Sequence, residues 1–395
     1  MVDVAKHQNG RDQADNPIKA LVKEGQSVWL DDISRQMLRE GKLQQQVEQV
    51  GIRGVTSNPT IFEKAIASGN AYDDAVMDLL RRGKSAPEIF EAVEVEDIRD
   101  ACDVLRPIYD QSGGRDGFVS IEVSPGAARD AEGTRVEARR LWASVDRPNL
   151  MVKIPGTLEG AAVVEEMLAE GLNINITLLF SIASYERVAS AYVAALEQRH
   201  AAGQPIDRIA SVASFFVSRV DTLVDKLVEE KIGQTDDIAR QEAMRSVLGK
   251  VAVANAKLAY AKFQEIFEGP RFAPLKAAGA AVQRPLWAST GTKNPAYSNV
   301  LYVEELIGPD TVNTMPGKTI EAFLDHGQVR RTVDENVEDA RQVMRDLEAT
   351  GVSIDEVTAQ LEEEGIASFT KSFDALIAGV EGKRAALAQE AVAVD

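Results

Sequence analysis

A lysine at the end of an apolar run is the residue best placed for chemistry in this sequence. Lys153 follows Leu150-Met151-Val152, and Pro155-Gly156 come shortly after it. A short apolar run bounded by turn residues is typical of a buried strand. Because desolvation of an ammonium ion is costly, a buried lysine tends to lose its proton, and the neutral amine attacks carbonyl carbons. Lys153 is therefore a candidate Schiff-base lysine, although the segment alone favours a lysine whose stem packs while its ammonium group reaches water.

Other polar side chains stand at the ends of the other predicted strands. In a closed parallel barrel these ends converge on one face, whatever their separation in sequence. The set comprises Asp31, Thr56 with Asn58, Glu122, Lys153, Asn175 with Thr177, Ser214 with Arg219, and Ser289 with Lys293.

One lysine, two carboxylates, carboxamides and hydroxyls around a pocket are suited to carbonyl–amine chemistry. Lys153 would attack a ketone, and Glu122 would relay protons through a water while the carbinolamine dehydrates. Asp31 would remove the proton from a hydroxyl so that the adjacent C–C bond can break. The protonated imine would take up the electrons of that bond.

Each of these residues also has a structural interpretation. Asp31 could cap the following helix, and Asn58 before a proline is ordinary turn chemistry. Glu122 could neutralise a buried lysine, and Arg219 could be a solvated residue on a helix. These interpretations are favoured for Asp31, Asn58 and Arg219 taken singly, whereas the joint pattern favours function.

Two asparagines inside one apolar strand are harder to explain as structural residues. Alternate residues of a barrel strand face the lumen, where an amide must find a hydrogen bond. We interpret Asn175 as functional and leave the role of Asn173 open.

Eight strand segments separated by helical segments predict a (β/α)₈ barrel, with extra helices inserted after the second and sixth strands. Residues 1–17 are predicted to be a flexible segment, 18–330 the catalytic barrel, and 331–395 a C-terminal helical extension packed on it. Besides the strand that holds Lys153, the predicted strands are 28–31, 51–56, 117–123, 172–177, 209–214, 284–290 and 312–315.

Composition excludes several classes of function. The chain has 395 residues and a net charge of −18, which argues against a nucleic-acid or anionic-membrane partner. Its one cysteine, Cys102, excludes an internal disulfide, and its three histidines lack metal-ligand spacing. No apolar segment approaches membrane-spanning length, and the N-terminus lacks the apolar core of a signal peptide. We therefore expect a cytoplasmic, metal-independent protein.

Four sequence blocks resemble the signature blocks of transaldolases and occur in the order found in that family. They are residues 54–60 (GVTSNPT), 121–123 (IEV), 152–155 (VKIP) and 173–181 (NINITLLFS). The resemblance spans roughly residues 25 to 330. The chain length and residues 287–295 (WASTGTKNP) are similar to the long bacterial branch of the family.

The resemblance implies a class I Schiff-base mechanism on an α/β barrel, without a metal or an organic cofactor. A ketose phosphate (sedoheptulose 7-phosphate or fructose 6-phosphate) would donate a dihydroxyacetone unit to an aldose phosphate. The acceptor would be glyceraldehyde 3-phosphate or erythrose 4-phosphate, as in the non-oxidative pentose phosphate pathway.

The matching blocks also imply catalytic roles for particular residues. Lys153 matches the lysine that forms the imine, and Asp31 matches the acid/base of C–C cleavage. Glu122 and Thr177 match the pair that holds the catalytic water. Asp32, adjacent to Asp31, leaves an ambiguity of one residue, and we choose Asp31 because it directly follows the apolar run.

Further positions match substrate-binding residues. Asn58 and Asn175 match the carboxamides on the dihydroxyacetone hydroxyls, and Ser214 and Arg219 match part of a phosphate site. The remaining expected substrate-binding residues are Thr56, Ser289 and Lys293.

The sequence departs from the family pattern at two positions. Phe215 replaces the proline usual after the serine of the phosphate site, and Lys293 stands near a position that holds a phosphate-binding arginine in the better-known branch. Lysine binds phosphate as a point charge and lacks the bidentate fork of arginine.

Two alternative functions remain at this stage. A fructose-6-phosphate aldolase-like lyase would share the barrel and the lysine but release free dihydroxyacetone, and the additional helices here favour the transferase. A non-catalytic sugar-phosphate sensor would bind ligand without using Lys153. The expected partners are small sugar phosphates, and the chain is compatible with a monomer or a homodimer.

Overall fold

The architecture is a closed barrel of eight parallel strands, as the sequence predicts. The computed structural model describes residues 16–67 and 69–394, with side chains described to residue 387. Each strand pairs with the next along the chain, and the eighth pairs with the first. The strands are β1 (Gln26–Leu30), β2 (Gly54–Val55), β3 (Val119–Glu122), β4 (Leu150–Pro155), β5 (Ile174–Leu179), β6 (Ser211–Phe216), β7 (Arg284–Ala288) and β8 (Thr311–Met315).

Helices separate and surround these strands. Residues Gln46–Val50 form a π-helical turn and Pro125–Arg129 a 3₁₀ turn. The α-helices are α1 (Pro17–Lys23), α2 (Arg35–Arg39), α3 (Lys42–Gln45), α4 (Pro59–Ala67), α5 (Asp73–Arg81), α6 (Ala86–Gln111), α7 (Ala131–Val145), α8 (Leu158–Glu170), α9 (Ile182–Ala201), α10 (Ser218–Ile232), α11 (Ile238–Arg245), α12 (Val251–Phe267), α13 (Ala273–Ala277), α14 (Leu301–Glu304), α15 (Gly317–His326), α16 (Val337–Ala349) and α17 (Ile354–Val394).

Strand β2 is shorter than the predicted segment 51–56. Gly51 has a left-handed backbone (φ 100°) at the end of the π-helical turn, so the chain is still turning there. Gly54 pairs with Trp29 of β1, and a Cβ atom at Gly54 would lie 2.5 Å from the indole ring. The strand therefore begins only at Gly54, where glycine leaves room for the indole.

The barrel lumen changes from apolar to polar along the strands. An apolar cluster that includes Trp29, Phe118, Met151, Val212 and Val312 fills its lower part. Side chains of a strand alternate between faces, so residues two positions further on share the same face. These residues are Asp31, Ser120, Lys153, Ser214 and Thr314. The period of the strand thus delivers polar groups to the carboxyl end of the lumen.

The C-terminal helices pack against the barrel helices. Helix α16 contacts α12, and α17 contacts α4, α5 and α6 as well as α10. The predicted boundary at residue 330 between barrel and extension stays a prediction. The predicted flexible segment lies outside the described residues up to residue 15. Within the part of the chain that the structure describes, no helix combines the length and apolarity needed to span a membrane.

Candidate active site

A cavity of about 390 Å³ opens at the carboxyl ends of the strands. Residues in or directly after all eight strands line it, together with residues of α4, α10 and α17. Ten of the eleven predicted site residues line the cavity, namely Asp31, Thr56, Asn58, Glu122, Lys153, Thr177, Ser214, Arg219, Ser289 and Lys293.

Lys153 lies in the cavity beside a carboxylate from the neighbouring strand. Glu122 of β3 and Lys153 of β4 are register partners, and Lys153 Nζ lies 3.1 Å from Glu122 Oε2. The same amine donates to the Ser57 carbonyl oxygen at 3.2 Å. Lys153 is 8% exposed, so the amine is desolvated except where it faces the cavity. Glu122 thus pairs with the buried lysine, as its structural interpretation predicts. The same contact permits proton exchange between the two groups.

Two buried carboxylates share the electrostatic field of this lysine. Burial raises the pKa of Asp31, and the charge of Lys153 and a hydrogen bond from Thr56 lower it in part. Burial also raises the pKa of Glu122, which Lys153 lowers and Asp31 raises further. Carboxyl groups with raised pKa values, in a cavity and near a lysine, are suited to take up and release protons during a reaction.

The structure brings Asp31 rather than Asp32 to the cavity. The helix that follows is capped by Ser34, whose Oγ accepts from the backbone N–H of Met37 at 3.2 Å. Asp31 is therefore not the capping residue. Its Oδ1 instead accepts from Thr56 Oγ1 at 2.8 Å, which directs the carboxylate into the lumen.

Thr56 lowers the pKa of Asp31, and replacement of Thr56 should therefore change the pH dependence of the reaction. The Thr56 hydroxyl has one proton, which it donates to Asp31, so it accepts from Thr314 Oγ1 at 2.6 Å. Thr56→Val removes the hydrogen bond that lowers the pKa of Asp31, and the acidic limb of the kcat/KM profile should move to higher pH. Thr314→Val leaves the bond to Asp31 in place and should keep the wild-type limb. A limb that moves to lower pH in Thr56→Val would contradict the assignment of Asp31 as a base.

Asn58 both stabilises a turn and lines the cavity. Its Oδ1 accepts from the backbone N–H of Ile61 at 3.1 Å, at the start of α4. The ordinary turn interpretation is therefore observed. Asn58 also lines the cavity, and the helix start that it caps places Thr60 and Ile61 there as well.

Asn175 is the predicted site residue that does not line the cavity. Its Nδ2 donates to Ser120 Oγ at 2.9 Å, and its Oδ1 accepts from Ser214 Oγ at 2.7 Å. Asn175 is fully buried and is the register partner of Lys153. Asn173 has a structural role, since it donates to the carbonyl oxygens of Pro148 and Leu150 and accepts from the Ala210 N–H.

These contacts predict different effects for the two asparagines. Asn175→Ala leaves the Ser120 and Ser214 hydroxyls without their partner, one of them in the cavity wall. We expect kcat/KM for the ketose donor to fall at least about tenfold, equivalent to about 1.4 kcal/mol of transition-state stabilisation. Asn173→Ala should lower the free energy of unfolding by about 1–3 kcal/mol and leave kcat/KM nearly unchanged. Steady-state kinetics and urea unfolding of both variants test this, and equal kinetic losses would contradict it.

Thr177 has an unused hydroxyl. Its Oγ1 is buried and has no hydrogen-bond partner among the described residues. The strand is irregular at this point, because the register between β5 and β6 shifts between Ile176 and Leu179, and Leu178 is left-handed (φ 60°). Thr177 lines the cavity, and its hydroxyl is a buried polar group at the cavity wall without a partner among the described residues.

The wall formed after β6 and β7 holds the predicted phosphate-binding residues. The Arg219 guanidinium lies 5.2 Å from the centroid of the Phe216 ring, and burial lowers the pKa of Arg219. Ser289 is left-handed (φ 56°), and its Oγ lies 3.0 Å from Ser218 Oγ. Lys293 is exposed on the loop that follows β7. Phe215, at the position where the family pattern has proline, packs edge-to-face against Trp287 outside the cavity.

Two aspartates of α10, the helix that holds Arg219, bind the loop after β7 and the helix α14 that follows this loop. Asp225 Oδ2 accepts from Tyr297 OH at 2.7 Å, and Asp221 Oδ2 accepts from Tyr302 OH at 2.9 Å. Burial raises the pKa of Asp221 to about 6. The role of Asp221 and Asp225 was not predicted from the sequence. The one feature of the sequence that indicates it is their spacing, which places both aspartates on the same face of a helix.

Sequence reasoning also missed the part of the cavity wall that α4 and α17 supply. Thr60 Oγ1 donates to Ser372 Oγ at 3.0 Å and joins the two helices at the cavity edge. The cavity residues from these helices that were not predicted are Pro59, Thr60, Ile61, Lys64, Gly365, Ser368, Phe369 and Ser372.

The fold is a parallel barrel, and a buried lysine–carboxylate pair lies at the carboxyl ends of its strands. These features define the class of barrel enzymes that carry out covalent chemistry on carbonyl compounds. The family Transaldolase/Fructose-6-phosphate aldolase matches residues 28–380. The chain belongs to this family, and the resemblance predicted from the sequence blocks is confirmed.

Similar proteins cover nearly the whole chain. The chain is 49% identical to a protein named transaldolase from Thermobifida fusca (strain YX) over 372 residues, which are 94% of this chain and 99% of the relative. It is 48% identical to a transaldolase from Trichodesmium erythraeum (strain IMS101) over 361 residues, 91% and 95% of the two chains. A transaldolase from Mycolicibacterium paratuberculosis (strain ATCC BAA-968 / K-10) is 49% identical over 367 residues, 92% and 96%.

Proposed function

We propose that this protein is a transaldolase that transfers a dihydroxyacetone unit through a Schiff base on Lys153. The donor is sedoheptulose 7-phosphate or fructose 6-phosphate, and the acceptor is glyceraldehyde 3-phosphate or erythrose 4-phosphate, as in the non-oxidative pentose phosphate pathway. The observation that carries the proposal is the 3.1 Å contact between Lys153 Nζ and Glu122 Oε2 in a cavity that Asp31 also lines. The relatives named transaldolase, near 48% identity over most of the chain, support it.

Imine formation uses Lys153 and Glu122. Glu122 accepts a proton from the Lys153 ammonium group, and the neutral amine attacks the ketone carbon of the donor. The carbinolamine hydroxyl leaves as water after protonation, which gives the protonated imine. Glu122 supplies the proton through a water that it holds together with the free Thr177 hydroxyl.

Carbon–carbon cleavage uses Asp31. Its carboxylate removes the proton from the C4 hydroxyl of the bound ketose, the C3–C4 bond breaks, and the bonding electrons move to the protonated imine. The aldose phosphate leaves with its new carbonyl group, and an enamine of dihydroxyacetone remains on Lys153. The enamine then attacks the acceptor aldehyde, the protons return by the same route, and hydrolysis of the imine releases the product.

Substrate binding divides between two depths of the cavity. Asn58, Thr56 and Ser289 would bind the hydroxyls near the imine, where Asn175 also belongs. Arg219 and Lys293 would bind the phosphate at the outer wall, and Ser214, which Asn175 holds, would reach it from below. Arg219 has no ion-pair partner in the described part of the chain, so its donors are available to an anion.

The experiment that tests the proposal measures free dihydroxyacetone with and without an aldose phosphate acceptor. A transaldolase keeps the three-carbon unit on Lys153 until the acceptor arrives, so steady release should be negligible without acceptor and the new ketose phosphate should form with it. Release at the same rate in both conditions would instead identify a fructose-6-phosphate aldolase-like lyase. Ligand binding without any turnover would identify a sugar-phosphate sensor.

The net charge and the proposed substrates also bear on the compartment and the partners of the enzyme. We place it in the cytoplasm, where sugar phosphates are metabolised, as a monomer or a homodimer. Its net charge of −18 supports the absence of a nucleic-acid partner.

A further inference from the structure

Lys64 lies on the wall of the cavity opposite the expected phosphate site. It belongs to α4, which follows β2, whereas Arg219 belongs to α10, which follows β6. Strands β2 and β6 are four strands apart in a closed barrel of eight, so they stand on opposite sides of its axis. Lys64 and Arg219 both line the cavity. Two cations therefore stand on opposite sides of the cavity.

The ammonium group of Lys64 is free. In residues 16–67 and 69–387, Lys64 makes neither an ion pair nor a side-chain hydrogen bond, and its side chain is exposed. Burial raises the pKa of Asp32, and the charge of Lys64 lowers it in part. The lysine therefore faces the cavity mouth without a carboxylate that holds it.

The backbone that positions Lys64 is fixed by the C-terminal helix. Lys383 Nζ of α17 donates to the carbonyl oxygens of Ile66 at 3.2 Å and Gly69 at 2.9 Å, at the C-terminal end of α4. The other end of α4 is attached to α17 through the bond between Thr60 and Ser372. Both ends of the short helix are thus attached to α17, and Lys64 projects from the segment between these attachments.

The charges of the cavity differ in sign from those of the whole chain. Four cationic side chains line the cavity (Lys64, Lys153, Arg219 and Lys293) but only two carboxylates, Asp31 and Glu122, both in the field of Lys153. The chain as a whole has a net charge of −18. A phosphate monoester dianion is repelled by such a protein at long range and needs local positive potential at the mouth.

We propose that Lys64 supplies positive charge at the cavity mouth on the side opposite Arg219 and attracts the phosphate group of phosphorylated sugars into the cavity. The inference rests on the proposed function, because it takes sugar phosphates as the substrates. Helix α4 then takes part in substrate recognition because it carries Lys64. Helix α17 takes part indirectly because it holds α4 in place. Unphosphorylated sugars gain nothing from Lys64.

The test measures equilibrium binding, so that it does not depend on turnover. Fructose 6-phosphate and fructose are titrated into Lys153→Met and into the same protein with Lys64→Gln, at about 0.02 M and about 0.5 M salt. We expect Lys64→Gln to weaken fructose 6-phosphate binding about three- to tenfold at low salt, with most of the loss abolished at high salt. Fructose binding should not change, and Lys64→Arg should restore the affinity. Lys371→Gln, an exposed lysine of α17 that does not line the cavity, is the matched control and should bind as Lys153→Met does.

Three patterns of altered binding would overturn the inference, as would unchanged binding. The three patterns are an equal loss for fructose and fructose 6-phosphate, a loss that salt does not reduce, or an equal loss in the Lys371→Gln control. Failure of the proposed function has a different signature: the wild-type protein would form no covalent adduct on Lys153, or it would release dihydroxyacetone at the same rate with and without an acceptor. A wild-type adduct together with unchanged affinity in Lys64→Gln would refute the role of Lys64 alone.

Discussion

Replacement of Lys153 by methionine is expected to lower kcat by about 10⁴- to 10⁶-fold, the largest effect of any single substitution in this protein. Methionine keeps most of the side-chain volume but has no amine, so no imine forms. The ion pair with Glu122 is lost as well, and the carboxyl group at that position then takes up a proton rather than remaining as an unpaired buried charge. Steady-state turnover of fructose 6-phosphate with an aldose phosphate acceptor measures the loss.

The appropriate control is a substitution that removes a lysine charge without touching the reaction centre. Lys371→Gln changes an exposed lysine of α17 and should leave kcat unchanged. Fructose 6-phosphate should still bind to Lys153→Met, because the cations of the outer wall remain. Substantial residual turnover in Lys153→Met, with product formed at more than about one-hundredth of the wild-type rate, would contradict a covalent role for this residue.

Asp31→Asn is expected to lower kcat by about 10²- to 10⁴-fold, the range for loss of a general base. Asparagine has nearly the same shape and can still bond to Thr56, but it cannot accept the proton of the C4 hydroxyl. Imine formation precedes this step and uses Glu122, so the variant should still form the Schiff base with the donor. Turnover assays and reductive trapping of the same preparation separate the two steps.

Asp32→Asn serves as the matched control, since it removes the same charge one residue away from a side chain that does not line the cavity. Its kcat should stay within a few-fold of the wild-type value. A larger loss in Asp32→Asn than in Asp31→Asn would reverse the assignment. Absence of the trapped adduct in Asp31→Asn would move the role of Asp31 from cleavage to imine formation.

The parts of the structure that follow from local chemistry could be predicted from the sequence. Alternation along the strands fixes which residues face the lumen, and the ends of parallel strands meet on one face of a barrel. Asp31, Glu122, Lys153 and Ser214 therefore come together although they are far apart in sequence. The prediction of eight strands is confirmed as well, since most of them are short segments rich in apolar residues between turns or helix ends.

The parts that depend on long-range packing could not be predicted in this way. The contact of Thr60 with Ser372 joins residues that are 312 positions apart, and the sequence of α17 does not indicate which side of the barrel it covers. The position of Asn175 below the cavity wall depends on two serines of neighbouring strands, each an ordinary residue by itself. The late start of β2 reflects the space that Trp29 takes up in the lumen.

The measurement that tests the central claim most directly is borohydride reduction of the wild-type protein in the presence of fructose 6-phosphate, followed by peptide mass mapping. The proposed mechanism predicts a reduced three-carbon adduct on Lys153, which would establish both the imine and the cleavage of the donor. An adduct on another lysine would contradict the assignment of Lys153. The lack of any adduct on a protein that binds fructose 6-phosphate would contradict the Schiff-base mechanism itself.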